Sequence, residues 1–241
     1  MKKKIRLGVN VDHIATLRQV RGGTTSYPDL LHFVKEAKAG GAQQITIHLR
    51  EDARHIQLSD LILLSQKCPV LLNLEMAATE KMQKLALKYR PDWCCLVPEK
   101  REELTTEGGL NILKYFDRID KITKKLSGKG IAVSHFIEPD LRQVFASAEA
   151  GAQAVEFHTG HWVLLKGTKK SKEWMRLEAA ARFAHSLGLK VHAGHGLDYA
   201  HSRLIRALPF IEEVNIGHSL VCHALQDGFK AAVSKMKRQL D

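Results

Sequence analysis

Aromatic residues make up only 6% of this chain, and basic and aromatic side chains do not alternate in the way that stacks bases. No nucleic-acid partner is therefore expected, despite a formal net charge of +11; such a balance also suits small polyanionic substrates. No apolar run approaches the roughly 20 residues needed to cross a bilayer. The opening Met1-Lys-Lys-Lys-Ile-Arg-Leu7 runs into a strand without an apolar signal segment, so no membrane association and a cytoplasmic location are the expectation. The 4 cysteines form no CxxC: Cys94 and Cys95 are adjacent and face opposite sides of a strand, while Cys68 and Cys222 stand alone. All are expected to be reduced packing residues. GxGxxG, GxxxxGK[ST] and HExxH are also missing, which argues against a dinucleotide fold, a P-loop and that class of zinc site.

What the chain does have is alternation. Within 241 residues and 44% apolar content, short apolar stretches run into polar tips and then into helical segments, eight times over. Strands are expected at Arg6–Val11, Gln44–Leu49, Val70–Leu74, Trp93–Val97, Ile131–Phe136, Ala154–His158, Lys190–Ala193 and Glu213–Ile216. Helices are expected from Pro28 to Gly40, from Ser59, at Thr79–Tyr89, Leu110–Leu126, Pro139–Ala150, Glu173–Leu187, Tyr199–Ala207 and Leu220–Leu240. Trp162–Lys172 reads as a basic loop. No composition break divides the chain, so the reading is an α/β protein with one domain over residues 1–241, a (β/α)8 TIM barrel. A doubly wound open sheet is the alternative, but the polar tips recur around all the strands rather than at one switch point.

In a parallel barrel those tips meet at one rim. Asn10, Asp12 and His13 close the first strand, with Arg18 and Arg21 beyond; Arg21 suits a bidentate phosphate clamp, or these are a helix cap and surface charges. His48, Arg50 and His55 mark the second tip, where His48 fits proton transfer or a structural role. Glu75 ends an apolar strand, and burial there would raise its pKa and suit it to act as a base; Glu156, with His158 two residues on, is similar. Either carboxylate would serve equally as a salt-bridge partner. Ala193-Gly-His-Gly196 and Asn215-Ile-Gly-His218 place glycines at the last two tips, where barrels often hold phosphate on backbone N–H groups. His195 and His218 stand beside them. The histidines are spread one per strand among arginines, which disfavours a metal centre, and no lysine ends a strand to form a Schiff base.

These segments, with Thr46-Ile-His-Leu-Arg-Glu-Asp52, Asn73-Leu-Glu-Met-Ala77, Cys95-Leu-Val-Pro-Glu-Lys-Arg101, Thr105-Thr-Glu-Gly-Gly109 and Glu156-Phe-His-Thr-Gly160, resemble the pyridoxine 5′-phosphate synthase family along the whole chain. The resemblance implies a barrel that joins 1-deoxy-D-xylulose 5-phosphate to 3-amino-2-oxopropyl phosphate, with no metal and no organic cofactor. It implies His48 and Glu75 as proton acceptors, His195 as proton donor and Glu156 as transition-state stabiliser. Asn10, Arg21, Gly196, Gly217 and His218 would hold the aminoketone phosphate; Asp12, His13, Arg50, His55 and Thr105 would hold the deoxyxylulose phosphate. A homo-octamer is implied as well. Pro98–Gly109 and Arg21–Ser26 are expected to close over the substrates. The Lys2–Lys4 lead, the Trp162–Lys172 segment, His135 and His192 depart from the family pattern, and His192 would perturb His195 if it faced the pocket.

Overall fold

The computed structural model describes residues 4–105 and 108–241. In chain order the elements are β1 (Arg6–Asn10), α1 (Asp12–Gln19), α2 (Leu30–Ala39), β2 (Gln44–His48), α3 (Leu58–Lys67), β3 (Leu71–Met76) and α4 (Glu80–Tyr89). They continue as β4 (Trp93–Leu96), a 3-10 turn at Arg101–Glu103, α5 (Phe116–Ser127), β5 (Ala132–Ile137), α6 (Leu141–Glu149) and β6 (Ala154–His158). The last third is α7 (Gly160–Leu164), α8 (Gly167–Ser186), β7 (Lys190–Gly194), α9 (Tyr199–Ile205), β8 (Ile211–Ile216), α10 (His218–Asp227) and α11 (Phe229–Leu240). The strands form a closed parallel barrel in sequence order, and β1 pairs with β8 through Leu7 opposite Val214 and Gly8 opposite Asn215. The expected (β/α)8 barrel is what the chain forms.

Four helices start at side-chain caps. Asp29 accepts from Leu31 N–H, Thr79 from Met82 N–H, Asp140 from Arg142 N–H and Asp198 from His201 N–H, each satisfying a first-turn donor.

Several boundaries differ from the sequence reading, each for a local reason. The segment after β1, left unassigned in the sequence, is helix α1, which buries Ile14 and Ala15. The expected helix from Leu110 begins only at Phe116, because Leu110 N–H donates to Phe136 O at 2.8 Å and Leu110 bridges to Leu104. The basic loop Trp162–Lys172 is mostly helix: Trp162 is buried in α7, and Lys169, Lys170 and Lys172 lie in the opening turns of α8, where lysine is a good helix former. The single C-terminal helix is two, split at Gly228 with φ +78°, a left-handed value glycine takes without cost.

The barrel has its apolar and polar layers in unusual places. Outward-facing strand residues such as Leu7, Ile45, Ile47, Leu74, Val133, Phe157 and Val214 are fully buried beneath the helices, and each such side chain contributes about 1.5–3 kcal/mol. The alternate residues face inward and are largely polar. Barrel interiors are usually filled by Val, Ile and Leu. Here Arg6 pairs with Glu213, and Gln44 Nε2 donates to Glu213 at 2.7 Å. Thr46 Oγ1 donates to Asn215 Oδ1 at 2.9 Å, and Asn215 Nδ2 donates to Glu156 at 2.8 Å. His192 belongs to this interior layer, 3.5 Å from Glu213 and edge-on to Trp93, and so does not face His195. His135 points the other way, to the Thr123 hydroxyl of α5 at 2.9 Å.

Candidate active site

The polar interior opens at the C-terminal rim into a cavity of about 960 Å3. Asn10, Asp12, His13, His48, His55, Glu75, Glu156, His195, Gly196, Gly217 and His218, all singled out in the sequence, line it. Arg21, Arg50 and Thr105 do not. Arg21 is exposed in the loop after α1. Arg50 lies beyond the end of β2, so strand alternation with His48 does not apply; its guanidinium bonds to Asp52, at 3.2 Å for the nearest pair. The Thr105 hydroxyl accepts from Gly108 and Gly109 N–H, which braces the loop rather than the cavity wall. Arg18 is likewise engaged, forking onto Asp60 at 2.8 and 2.6 Å. Thr106 and Glu107 of the quoted motif, and Lys2 and Lys3, lie outside the described residues.

The cavity also has walls to which the sequence reading gave no role: His158 and Asn215, named there only within their motifs, and Arg54 and Ser219. Arg54 lines the cavity while Arg50 does not, and Ala53, at φ +47°, stands between them. No spacing rule distinguishes those two arginines in the sequence.

The β1 and β2 tips are joined by hydrogen bonds. Asn10 Nδ2 donates to Asp12, Asp12 N–H donates back to Asn10 Oδ1, and His48 N–H donates to Asp12 Oδ1 at 2.8 Å. Burial pushes the Asp12 carboxyl up to about 6 against these donors. Burial also holds Glu75 well above the usual carboxylate range, reinforced by the charges of Asp12 and Glu156. Asp12, His48 and Glu75 bring ligand-type atoms within 4.8 Å of one another, close enough to share a cation.

His48 is held from both sides. Its Nε2 is 3.0 Å from Glu99 and its Nδ1 is 3.8 Å from Glu75. Burial works to raise the Glu99 pKa, but the bonds from His48 and from Glu51 N–H outweigh it and leave the group below its ordinary value. An ionised Glu99 accepts only, so His48 carries its proton on Nε2 and presents the Nδ1 lone pair to Glu75. Glu99→Gln removes that preference, and turnover is expected to fall about tenfold to a hundredfold with KM little changed. Unaltered kcat in steady-state assays would remove Glu99 from the arrangement.

Glu156 rises from the barrel floor. Burial, then the nearby Glu213, push it up to about 8, while the Asn215 amide pulls it down. Folding raises this pKa, so between about 4.5 and 8 the native state keeps a proton that the unfolded chain has lost. The group therefore makes stability fall as pH rises through that window. Glu156→Gln is expected to flatten the slope, measured by urea unfolding at pH 5.5 and 8. Equal slopes in the two proteins would contradict the assignment.

On the opposite wall His195 sits at φ +73°, a left-handed conformation costing a non-glycine residue on the order of 1–3 kcal/mol. The Thr159 hydroxyl, 2.7 Å from the carbonyls of Gly194 and His195, fixes that turn. Partial burial and the adjacent His158 lower its pKa. Gly217, His218 and Ser219 form the start of α10, whose free N–H groups favour anions. His13 meets His218 edge-on at 5.2 Å between ring centres. Beside Arg54, burial and the neighbouring His48 bring His55 down to about 4, and Ile56 N–H donates to its Nδ1.

A closed parallel barrel whose acids and imidazoles ring one cavity at the C-terminal rim is the layout of a (β/α)8-barrel enzyme. Sequence comparison narrows the class. The chain belongs to the family of the pyridoxal phosphate biosynthesis protein PdxJ, whose model matches residues 7–241. It is 65% identical over 240 residues to the pyridoxine 5′-phosphate synthase of Bdellovibrio bacteriovorus, covering 100% of both chains. It is 49% identical to that of Thioalkalivibrio sulfidiphilus, over 98% of this chain and 96% of the relative. Among solved structures, 3-keto-L-gulonate-6-phosphate decarboxylase from Vibrio cholerae superposes with TM-score 0.69 over 99% of this chain and 98% of that one; at 12% identity this supports the fold alone. No helix among the described residues is long and apolar enough to cross a membrane.

Proposed function

We propose that this enzyme is a pyridoxine 5′-phosphate synthase that condenses 1-deoxy-D-xylulose 5-phosphate with 3-amino-2-oxopropyl phosphate by acid–base catalysis. The observation that carries the reading is the convergence of Asp12, His48, Glu75, Glu156 and His195 on one cavity that also offers two places for anions. One is the N-terminus of α10 with Gly217 and His218; the other is Arg54 with His55. Amine addition, loss of water, loss of phosphate and ring closure each move a proton, so groups of separated pKa are required. Burial supplies that separation: Asp12 near 6, Glu156 near 8, Glu75 raised and His195 lowered. The His48–Glu75 pair takes protons from the substrates, and His195 returns one to a leaving group. Holding both substrates together contributes up to about 7–11 kcal/mol of the barrier reduction. Arg21 acts as a phosphate clamp only if the 21–26 loop folds over bound substrate.

The test is to incubate the purified protein with both substrates in the presence of a chelator. Pyridoxine phosphate fluorescence and released inorganic phosphate should appear in equal amounts. Phosphate release without the fluorescent product would point to simple hydrolysis and end this reading.

A further inference from the structure

His158 and Glu138 are a titratable pair at the cavity wall that the roles above leave unused. His158 ends β6 two residues after Glu156 and lines the cavity, with its ring 5.0 Å from that of His195. Its Nδ1 is 2.8 Å from Glu138 Oε1, and Glu138 follows directly on β5, 2% exposed. The same oxygen accepts from Gly109 N–H at 3.0 Å, while Glu138 Oε2 is buried with no hydrogen-bond partner among the described residues. An acceptor already engaged by a backbone N–H fixes the His158 tautomer: the proton sits on Nδ1, and the lone pair sits on Nε2. That nitrogen lies beside Gly160 and His195 at the cavity wall; a Cβ built on Gly160 would come within 2.8 Å of it and 2.7 Å of His195 Cδ2. A buried carboxylate behind an imidazole whose second nitrogen reaches a cavity is the arrangement of an acid–base dyad.

We propose that His158 is a further catalytic acid–base residue of this enzyme, with Glu138 as its positioning residue; this rests on the acid–base synthase reading above. A single donor, His195, cannot give a proton both to departing water and to departing phosphate without being reloaded. His158 meets the second demand. Its Nε2 lone pair accepts a proton from substrate, the electron pair of the broken bond stays on the substrate, and the imidazolium is held against Glu138. The proton then passes to the departing oxygen and the ring ends the cycle neutral. The titratable groups facing it are Glu138 from β5, His195 from the β7 tip and Glu156 on its own strand.

Two measurements on the full-length protein decide the matter. Nitrogen-15 NMR of histidine-labelled enzyme without substrates should show neutral His158 protonated on Nδ1. In steady-state assays, His158→Gln should lower kcat about a hundredfold with both KM values within about threefold, and Glu138→Gln should lower it about tenfold. A purely structural anchor for the Gly109 loop would instead change melting temperature and KM together. An Nε2-protonated His158, or a folded His158→Gln variant with kcat within threefold of wild type, overturns the proposal. A wild-type enzyme that makes no pyridoxine phosphate overturns the synthase reading instead, and the NMR tautomer alone then decides whether the dyad exists.

Discussion

Replacing Glu75 with glutamine should reduce kcat by about 10²- to 10⁴-fold while both substrates still bind with nearly unchanged KM. The carboxyl projects from β3 into the rim, where burial and the charges of Asp12 and Glu156 hold its proton affinity high. A group with that affinity accepts a proton readily once a substrate is bound over it. Its partner is poised, since Glu99 fixes the far nitrogen of His48 and leaves the near one 3.8 Å from Glu75. Glutamine keeps the shape and the polar contacts but cannot take a proton. Rapid mixing separates binding from chemistry here. If the variant lost substrate affinity and kept kcat, Glu75 would be a binding group and the base would have to be sought elsewhere.

A second large effect is expected from Gly194→Ala, a change of one methyl group on the strand before His195. Alanine's Cβ would stand 2.0 Å from Glu156 Oε1, so the two side chains cannot coexist as they are. Gly194 does not adopt a left-handed φ, so the obstacle is crowding and not backbone geometry. Glu156 must swing away from the Asn215 amide, and the fold should lose about 1–3 kcal/mol, with turnover falling about a hundredfold. Thermal unfolding and kinetics measure both. Adding Glu156→Asp, one methylene shorter, should recover most of the lost stability and little of the activity. A double variant no more stable than Gly194→Ala would show that the clash is relieved in some other way.

The barrel was legible because its outward-facing strand residues are apolar and four of its helices begin at Asp or Thr caps. The tips were legible for a related reason: a polar residue ending an apolar run has few purposes at a barrel rim. Other features depend on tertiary geometry that no spacing encodes. Arg54, not Arg50, lines the cavity wall, with the left-handed Ala53 between them. Gly194 reads in the sequence as room for a phosphate, yet it makes room for Glu156 on the neighbouring strand. Glu99 and Glu138 are ordinary loop acids in the sequence, and only the fold sets them behind His48 and His158. The opening of helix α8, residues 167–172, reads as loop because a run of lysines resembles a solvated segment until one face is seen to pack.

The seam between β1 and β8 carries a consequence for how the molecule comes into being. Arg6 meets Glu213, Gly8 pairs with Asn215, and the carbon a side chain would add at Gly217 would lie 3.0 Å from Asn10, so the first and last strands complete one another. These contacts join residues some two hundred positions apart, the kind of pairing that forms late. During synthesis, a nascent chain that has not yet delivered its eighth strand lacks Asn215, and with it the amide that braces Glu156. Competence is therefore acquired in one step at ring closure, and shortened chains lacking β8 should be inert rather than sluggish.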